Sequence, residues 1–322
     1  MSDLERTPGL AVCGGTATVS AKPASEVIAG REVRLGESTM VRRLLPTLGR
    51  RLVGAWCFAD HYGPDDIATG AGMQVPPHPH MGLQTVSWLL EGEVHHRDSI
   101  GSSQHVRAGE LGLMTAGAGI AHAEYSPVPH PVLLHGVQLW VALPAQARNV
   151  RPAWAHHPVL PVVADPRAGL SATVIMGQLA EAASPGQTHS ELVGADIALE
   201  AGSDALLPLD PEFEHAVLVM SGEATIDGTS LAPGAMLYLG CARSFLRFRA
   251  DRPARLLLLG GVPFEEQIVM WWNLIGRDHE EIVTARHEWM SGERFGAVAD
   301  SGMPMTAPEL PPFPLKPGGR LR

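Results

Sequence analysis

Three histidines and one glutamate lie in two short motifs whose spacing suits metal binding. One residue separates His78 from His80, and one residue separates His122 from Glu124. On an extended strand, side chains two positions apart point to the same face, so each pair can share a target. Two such strands facing each other would present three nitrogens and one oxygen. That set suits a first-row divalent metal and leaves coordination positions open for water, oxygen or substrate.

The other histidines give weaker signals. The chain contains 15 of them, so some close pairs arise by chance. His95 and His96 are adjacent, as are His156 and His157, and neighbours on a strand point to opposite faces. We therefore interpret both pairs as ordinary polar positions. His215 stands alone and is interpreted as a structural residue.

The elements that must position the metal motifs are predicted to be short strands. The 35 glycines and 27 prolines indicate many turns rather than long helices. A segment rich in β-forming residues, 85–90, ends at the turn Glu91-Gly92-Glu93. Another strand-like segment, 137–143, is stopped by Pro144. Such spacing of short strands favours a sandwich or a barrel.

An internal repeat indicates that one β unit occurs twice. Leu90–Glu93 resembles Met220–Glu223, and Arg107–Glu110 resembles Ala232–Ala235. Each copy is predicted as strand, glycine turn, strand, small-residue turn and strand.

The metal motifs do not recur in the second copy. Pro208 and Asp210 precede Gly222 by the same number of residues as the first histidine pair precedes Gly92. No counterpart of the later His-x-Glu pair is found either. The second half is therefore predicted to have the same fold without the metal site.

The last part of the chain is predicted to contain a helix. Asp278 and Glu281 form a capping box, with Asp278 as the N-cap residue. Ile282, Ala285 and Trp289 would share one face, and a glycine follows at 292. A second short helix is predicted over residues 265–274, and the proline-rich tail from 303 to 322 is predicted to be extended or disordered.

Composition limits the classes of partner and location. A hydrophobic content of 45% supports a substantial core, and the net charge of −10 argues against direct binding to a nucleic-acid backbone. Cys13, Cys57 and Cys241 are far apart and form no disulfide framework, which fits a reducing cytoplasm. The polar N-terminus shows no signal peptide, and no apolar run is long enough to span a membrane. We therefore expect a cytoplasmic protein.

At this point the residues resemble a known family. The order of motifs is similar to that of the cupin superfamily and, more narrowly, to the pirins. The matching segments are Asp60–Pro64, Pro77–Val86, Leu90–Gly92, His96–Ser99, Met114–Glu124 and Gly136–Val141. The strong matches run from about residue 50 to about residue 145, and weaker ones extend to about residue 296.

The resemblance implies an all-β bicupin, with two β-barrels of the double-stranded β-helix type and a short C-terminal helical segment. It implies a single iron, held by His78, His80, His122 and Glu124. The expected domains are a flexible segment over 1–25, a metal-bearing cupin barrel over 26–150, a cupin barrel without metal ligands over 151–262, and a helix with a proline-rich tail over 263–322.

The first motif departs from the general pattern in ways that concern substrate. Gln84-Thr85 lies where other cupins place a ligating glutamate, a loss that pirins share and that Glu124 is expected to replace. Met81, Leu83 and Gln84 also differ from the Arg, Phe and Glu most typical of pirins. These changes leave the ligands intact but alter the mouth of the pocket.

The resemblance implies an iron-dependent dioxygenase similar to the quercetin 2,3-dioxygenases found among pirins. The expected reaction is oxygenative ring opening of a flavonol such as quercetin, a small aromatic substrate, with release of carbon monoxide. Glu124 would accept the proton of the 3-hydroxyl group. Fe(II) is the expected metal, although the same ligands can hold Zn, Mn, Ni or Cu.

The alternative is a non-enzymatic regulator that binds a protein partner, with the redox state of the iron setting the shape of a surface. An accessible apolar pocket at the metal would favour catalysis. A basic exposed patch beside the metal barrel would favour regulation.

Overall fold

The structure, a computed structural model, describes residues 11–13, 23–35, 39–47 and 49–317. These residues form short strands and one helix. The strands are β1 (Ala11–Cys13), β2 (Pro23–Ala29), β3 (Arg31–Leu35), β4 (Thr39–Leu45), β5 (Trp56–Asp66), β6 (Gln74–His80), β7 (Leu83–Glu91), β8 (Glu93–Asp98), β9 (Ser103–Arg107), β10 (Leu111–Thr115), β11 (Ile120–Tyr125), β12 (Leu133–Ala142), β13 (Ala153–His157), β14 (Val162–Asp165), β15 (Leu170–Leu179), β16 (Ala182–Ala183), β17 (Leu192–Leu199), β18 (Ser203–Pro208), β19 (Glu214–Ser221), β20 (Ala224–Ile226), β21 (Thr229–Leu231), β22 (Ala235–Gly240), β23 (Phe245–Ala250), β24 (Ala254–Gly261), β25 (Ile268–Trp271) and β26 (Leu274–Gly276). The helix, α1, spans His279–Ser291.

Two barrels account for most of these strands, which confirms the predicted bicupin. In the N-terminal barrel a seven-stranded sheet, ordered β13-β10-β7-β12-β5-β4-β3, faces a four-stranded sheet, ordered β6-β11-β8-β9. In the C-terminal barrel a larger sheet, with the main path β14-β15-β17-β24-β19-β22-β2, faces the four strands β18-β23-β20-β21. The predicted repeat is confirmed, because Gly92 and Gly222 each connect a long strand of the large sheet to the small sheet with a positive φ.

The two large sheets pack on each other. One hydrophobic cluster contains buried residues of both sheets, so the apolar core continues from one barrel to the other. A few buried polar contacts cross the same interface. Trp56 Nε1 donates to the carbonyl oxygens of Val193 and Gly260, and Trp88 Nε1 donates to Asp196 Oδ2 at 2.8 Å. A second cluster fills the interior of the C-terminal barrel.

Two strands cross the predicted domain limits. β2 begins at Pro23, at the end of the predicted flexible segment, but it pairs with β22 of the C-terminal barrel. β13 follows residue 150 but pairs with β10 of the N-terminal barrel. The predicted limits at 26, 151 and 263 stay a prediction. The predicted flexible segment over 1–25 lies largely outside the described residues.

The C-terminal helix forms as predicted. Asp278 is the N-cap, and its side chain accepts a hydrogen bond from the backbone of Glu281. Ile282, Ala285 and Trp289 are buried, and Gly292 ends the helix in the left-handed region. Residues 303–317 form no helix or strand, as expected for the tail, and residues 318–322 lie outside the described part. No helix of the described residues is long and apolar enough to cross a membrane.

The second predicted helix, over residues 265–274, is wrong. This segment instead forms β25 and β26, which pair with each other, and β25 also pairs with β1. The run Ile268-Val269-Met270-Trp271 is buried throughout and rich in β-branched and aromatic residues, which favours a fully buried strand. Trp272, at the connection, has a positive φ of 53°.

Candidate metal centre

The two metal motifs lie on adjacent strands, as the sequence predicts. β6 and β11 are antiparallel, with His122 opposite His78 and Ile120 opposite His80. All three imidazoles are fully buried. β6 lies at the edge of its sheet, where the prolines of this strand are tolerated because edge strands need fewer backbone donors. The pairing shifts register between His122 and Glu124, so the strand carries an irregularity between these two side chains.

The rings of His78 and His80 point lone pairs at each other. His78 Nδ1 lies 2.8 Å from the carbonyl oxygen of Pro76, and His80 Nδ1 lies 3.0 Å from that of Asn273. A carbonyl oxygen only accepts, so in each neutral ring Nδ1 carries the hydrogen and Nε2 is the acceptor. The two Nε2 atoms are nevertheless only 3.2 Å apart. Two acceptors at that distance repel unless a cation lies between them.

The distance fits a shared metal ion. Two nitrogens bound at about 2.1 Å to one metal lie about 3.0 to 3.4 Å apart at right or tetrahedral angles. Burial lowers the pKa of His78 to about 4 and holds the pKa values of His80 and His122 well below the usual value. The rings are therefore neutral at pH 7, which is the form that binds metals. The donor set present thus fits a divalent cation.

His122 is oriented by a chain of polar groups behind it. Its Nε2 has no hydrogen-bond partner among the described residues, whereas its Nδ1 lies 3.3 Å from His96 Nδ1. His96 Nε2 lies 3.1 Å from Asp98 Oδ2. If Nε2 of His122 is the ligand, its Nδ1–H donates to His96, and His96 Nε2–H donates to Asp98. Such carboxylate–histidine chains fix the orientation of metal-bound imidazoles.

The interpretation of His96 as an ordinary polar position is therefore wrong. His95 and His96 do point to opposite faces, but His96 points inward, is buried, and stacks on Trp154 with 3.7 Å between ring centroids. His156 is a polar position as expected, because its Nε2 contacts Glu110 at 2.8 Å. His215 lies in the other barrel, on β19.

Glu124 lies beside the histidine cluster in a buried polar network. Its Oε1 accepts a hydrogen bond from Ser87 Oγ at 3.1 Å, and Ser87 Oγ lies 2.9 Å from the Gln138 side-chain amide. One hydroxyl hydrogen cannot serve both oxygens, so the amide nitrogen of Gln138 is best placed toward Ser87 and the hydroxyl toward Glu124. Burial and the nearby Glu124 raise the pKa of Tyr62 well above its usual value, so its phenol stays protonated.

The predicted ligands fall into two overlapping sets. His78, His80 and His122 form one group able to hold a metal ion, and His96, His122 and Glu124 form another, with the ligand atoms of each within 4.8 Å of one another. His122 belongs to both. The four-residue set His78, His80, His122 and Glu124 spans the two groups and stays a prediction.

Several residues of this site were missed at the level of sequence. They are Ser87, His96, Asp98, Gln138 and Asn273. His96, Asp98 and Gln138 belong to matching segments, which was a usable signal. The contribution of Asn273 is a backbone carbonyl from a distant hairpin, and no sequence pattern marks such a contact.

Replacing His96 is expected to weaken metal binding without removing a predicted ligand. In His96→Ala the Nδ1–H of His122 loses its acceptor, so metal affinity should fall about 10- to 100-fold. A competition titration against a fluorescent chelator measures the change. The matched control is His95→Ala, whose ring lies on the opposite face and contacts Ser103. Equal affinities of the two variants would contradict the orienting chain.

Comparison with known proteins gives consistent matches over most of the chain. The family model described as Pirin matches residues 38–141, and the one described as Pirin C-terminal cupin domain matches residues 194–296. A Pseudomonas aeruginosa protein named "Putative quercetin 2,3-dioxygenase" is 43% identical over 286 residues, covering 88% of this chain and 90% of its own. A "Pirin-like protein" of Caulobacter vibrioides is 33% identical over 276 residues, covering 84% and 94%. The crystal structure of a quercetin 2,3-dioxygenase from Acinetobacter baumannii superposes with a TM-score of 0.86 at 38% identity, covering 91% of this chain and 98% of that one.

Proposed function

Because this chain belongs to the pirin family, we propose that it is a metal-dependent dioxygenase that opens the ring of flavonols such as quercetin with release of carbon monoxide. The names of its relatives support a reaction of this class. The observation that carries the proposal is the pair of acceptor nitrogens, His78 Nε2 and His80 Nε2, held 3.2 Å apart in a buried site.

The proposed ligands are His78, His80, His122 and Glu124, and the proposed metal is Fe(II). Imidazole and carboxylate ligands suit iron, and an iron site with open positions supports oxygenase chemistry. When bound, the metal would supply Lewis-acid activation of the flavonol and transfer of electron density to dioxygen. Zinc, manganese, nickel and copper fit the same ligands.

Glu124 is proposed as the group that accepts the proton of the 3-hydroxyl. It is buried, and its Oε1 is held by the hydroxyl of Ser87. A carboxylate held in this way is oriented for proton transfer. Tyr62 and Glu124 line one small cavity. The phenol of Tyr62 stays protonated, so it can serve as a donor beside Glu124.

One observation favours the second candidate, a metal-dependent regulator without catalysis. The cavity between Glu124 and Tyr62 has a volume of about 10 Å³. That is room for about one water molecule, so a flavonol would not fit there without displacing the walls. A regulator would need the metal but no substrate cavity.

Oxygen consumption separates the two candidates. Iron-loaded protein with quercetin is expected to take up oxygen and release carbon monoxide, and His122→Ala is expected to lose both. The control is His157→Ala, a histidine outside the cluster that should retain activity. Uptake no faster than with free iron, in protein shown to contain metal, would reject the dioxygenase and leave the regulator as the better proposal.

A further inference from the structure

The C-terminal barrel contains a cavity of about 610 Å³ at one end. Cavities of a few hundred to a thousand Å³ are typical of small-molecule sites. Its lining includes five buried apolar residues, Leu179, Leu192, Val193, Leu209 and Phe213, together with uncharged polar residues such as Gln178, Ser184 and Thr188. Its size contrasts with the 10 Å³ beside Glu124.

The cavity lies at the counterpart of the metal centre. β18 and β19 follow each other as β6 and β7 do in the N-terminal barrel, and each pair precedes its glycine turn. By distance from that turn, Pro208 and Asp210 correspond to His78 and His80. All of Pro208, Asp210 and His215 line the cavity. The second barrel thus has a ligand-sized space where the first barrel has its histidines.

His215 is an unusual residue for a purely structural position. It is fully buried, and neither ring nitrogen makes a well-directed hydrogen bond among the described residues, although the ring lies close to the backbone of Phe213. Burial lowers the pKa of His215 to about 4, so the ring is neutral at pH 7. A buried polar group whose hydrogen bonds are poorly made is destabilising relative to an apolar side chain of similar size. The absence of a side chain at Gly260 leaves space for the ring, because a Cβ added there would lie 2.6 Å from His215 Cδ2.

The charged groups of the cavity lining indicate which charge a ligand should carry. Asp210 and Glu191 line the cavity and are exposed, and no lysine or arginine is among its lining residues. Two carboxylates beside an apolar wall favour a cation that carries an apolar group. Arg243 acts on the His215 imidazole from nearby but is paired with Asp227, so an anion at the cavity would meet mainly like charge.

We propose that this cavity binds a small aromatic amine, with the ammonium group near Asp210 and Glu191 and the aromatic ring against the apolar wall. The buried imidazole of His215 also lines the cavity and offers one donor and one acceptor. This site is separate from the metal centre and does not depend on the dioxygenase proposal.

Tyramine is a suitable probe, tested by calorimetry on the full-length, metal-loaded protein. Saturable binding is expected for tyramine and none for 3-(4-hydroxyphenyl)propionate, which has similar size and opposite charge. Asp210→Asn should weaken tyramine binding about tenfold, because a charge-assisted contact becomes a neutral one. This variant keeps the oxygen that accepts the backbone N–H of Glu212 at 2.9 Å, so the local turn is preserved.

Two controls make the result specific. Glu212→Gln removes a neighbouring exposed charge that does not line the cavity and should bind tyramine as the wild type does. His122→Ala should also bind tyramine normally, because it alters only the metal centre. His215→Leu should bind tyramine more weakly while its melting temperature is no lower than that of the wild type.

Three results would overturn the proposal. The first is no binding of tyramine at millimolar concentration, and the second is equal binding of the propionate. The third is a second equivalent of divalent metal that is lost in Asp210→Asn, which would assign the cavity to a metal cation instead.

Discussion

Metal loading is expected to raise the melting temperature of the wild-type protein by several degrees and to leave that of His80→Ala nearly unchanged. The wild-type site holds two acceptor nitrogens, on His78 and His80, 3.2 Å apart in a buried pocket. Removing His80 takes away one ligand and the repulsion together. The variant should therefore respond weakly to added metal.

The size of the effect follows from linkage. A ligand that binds only the folded state stabilises it by about 4 kcal/mol at a free concentration 1,000 times its dissociation constant. For domains of 150–250 residues, about 1 kcal/mol shifts the melting temperature by roughly 2–4 °C. Differential scanning calorimetry of chelated and metal-loaded samples measures the shift directly.

The comparison is made within each variant, so a change in the stability of the metal-free protein does not affect it. His157→Ala serves as the control, because this half-buried histidine lies outside both ligand groups. Its metal-induced shift should equal that of the wild type. A full shift in His80→Ala would show that the metal binds elsewhere.

The histidine pairs could be predicted from sequence because strand periodicity is local. His78 and His80 share a face whatever the rest of the chain does, and His122 lies on a strand of the same sheet. The capping box at Asp278 is local in the same sense, and α1 begins where it predicts. The turns at Gly92 and Gly222 marked the repeat, which fixed the number of barrels.

What could not be predicted depends on contacts between distant segments. Because neighbouring residues of a strand point to opposite faces, the sequence predicts that either His95 or His96 points inward, but it does not predict which one. The ring that stacks on His96 comes from Trp154 on β13, and the acceptor for His80 Nδ1 comes from Asn273. Neither contact has a sequence signature.

The wrong helix over residues 265–274 has the same cause. Its apolar run is short enough to suit either a helix or a buried strand, and local pattern does not decide between them. Pairing of Ile268–Trp271 with Ala11–Cys13, more than 250 positions earlier in the chain, makes it a strand. This strand also matters for the metal centre, because the turn that follows it supplies the Asn273 carbonyl that orients His80.

Breaking the buried ion pair between Arg43 and Asp60 is expected to have the largest effect on stability. The two residues are directly opposite each other on β4 and β5, and both are almost completely buried. Their contact is bidentate, with two N–O distances of 2.9 Å, and the guanidinium lies 4.5 Å from the centre of the Phe58 ring. Asp60→Leu removes the carboxylate that accepts both of these hydrogen bonds from the buried guanidinium, which should destabilise the N-terminal barrel by about 3–5 kcal/mol.

The double variant distinguishes the loss of a buried ion pair from a simple packing defect. Replacing both partners, in Arg43→Met with Asp60→Leu, removes both buried charges together, so the double variant should be more stable than Asp60→Leu alone. Urea unfolding followed by tryptophan fluorescence gives both values, since Trp56, Trp88 and Trp140 are buried in this barrel and its interface. The free energy of unfolding of Arg43→Met alone is needed for comparison. If the losses of the two single variants simply add up in the double variant, the two residues act independently. The pair would then contribute through packing rather than charge.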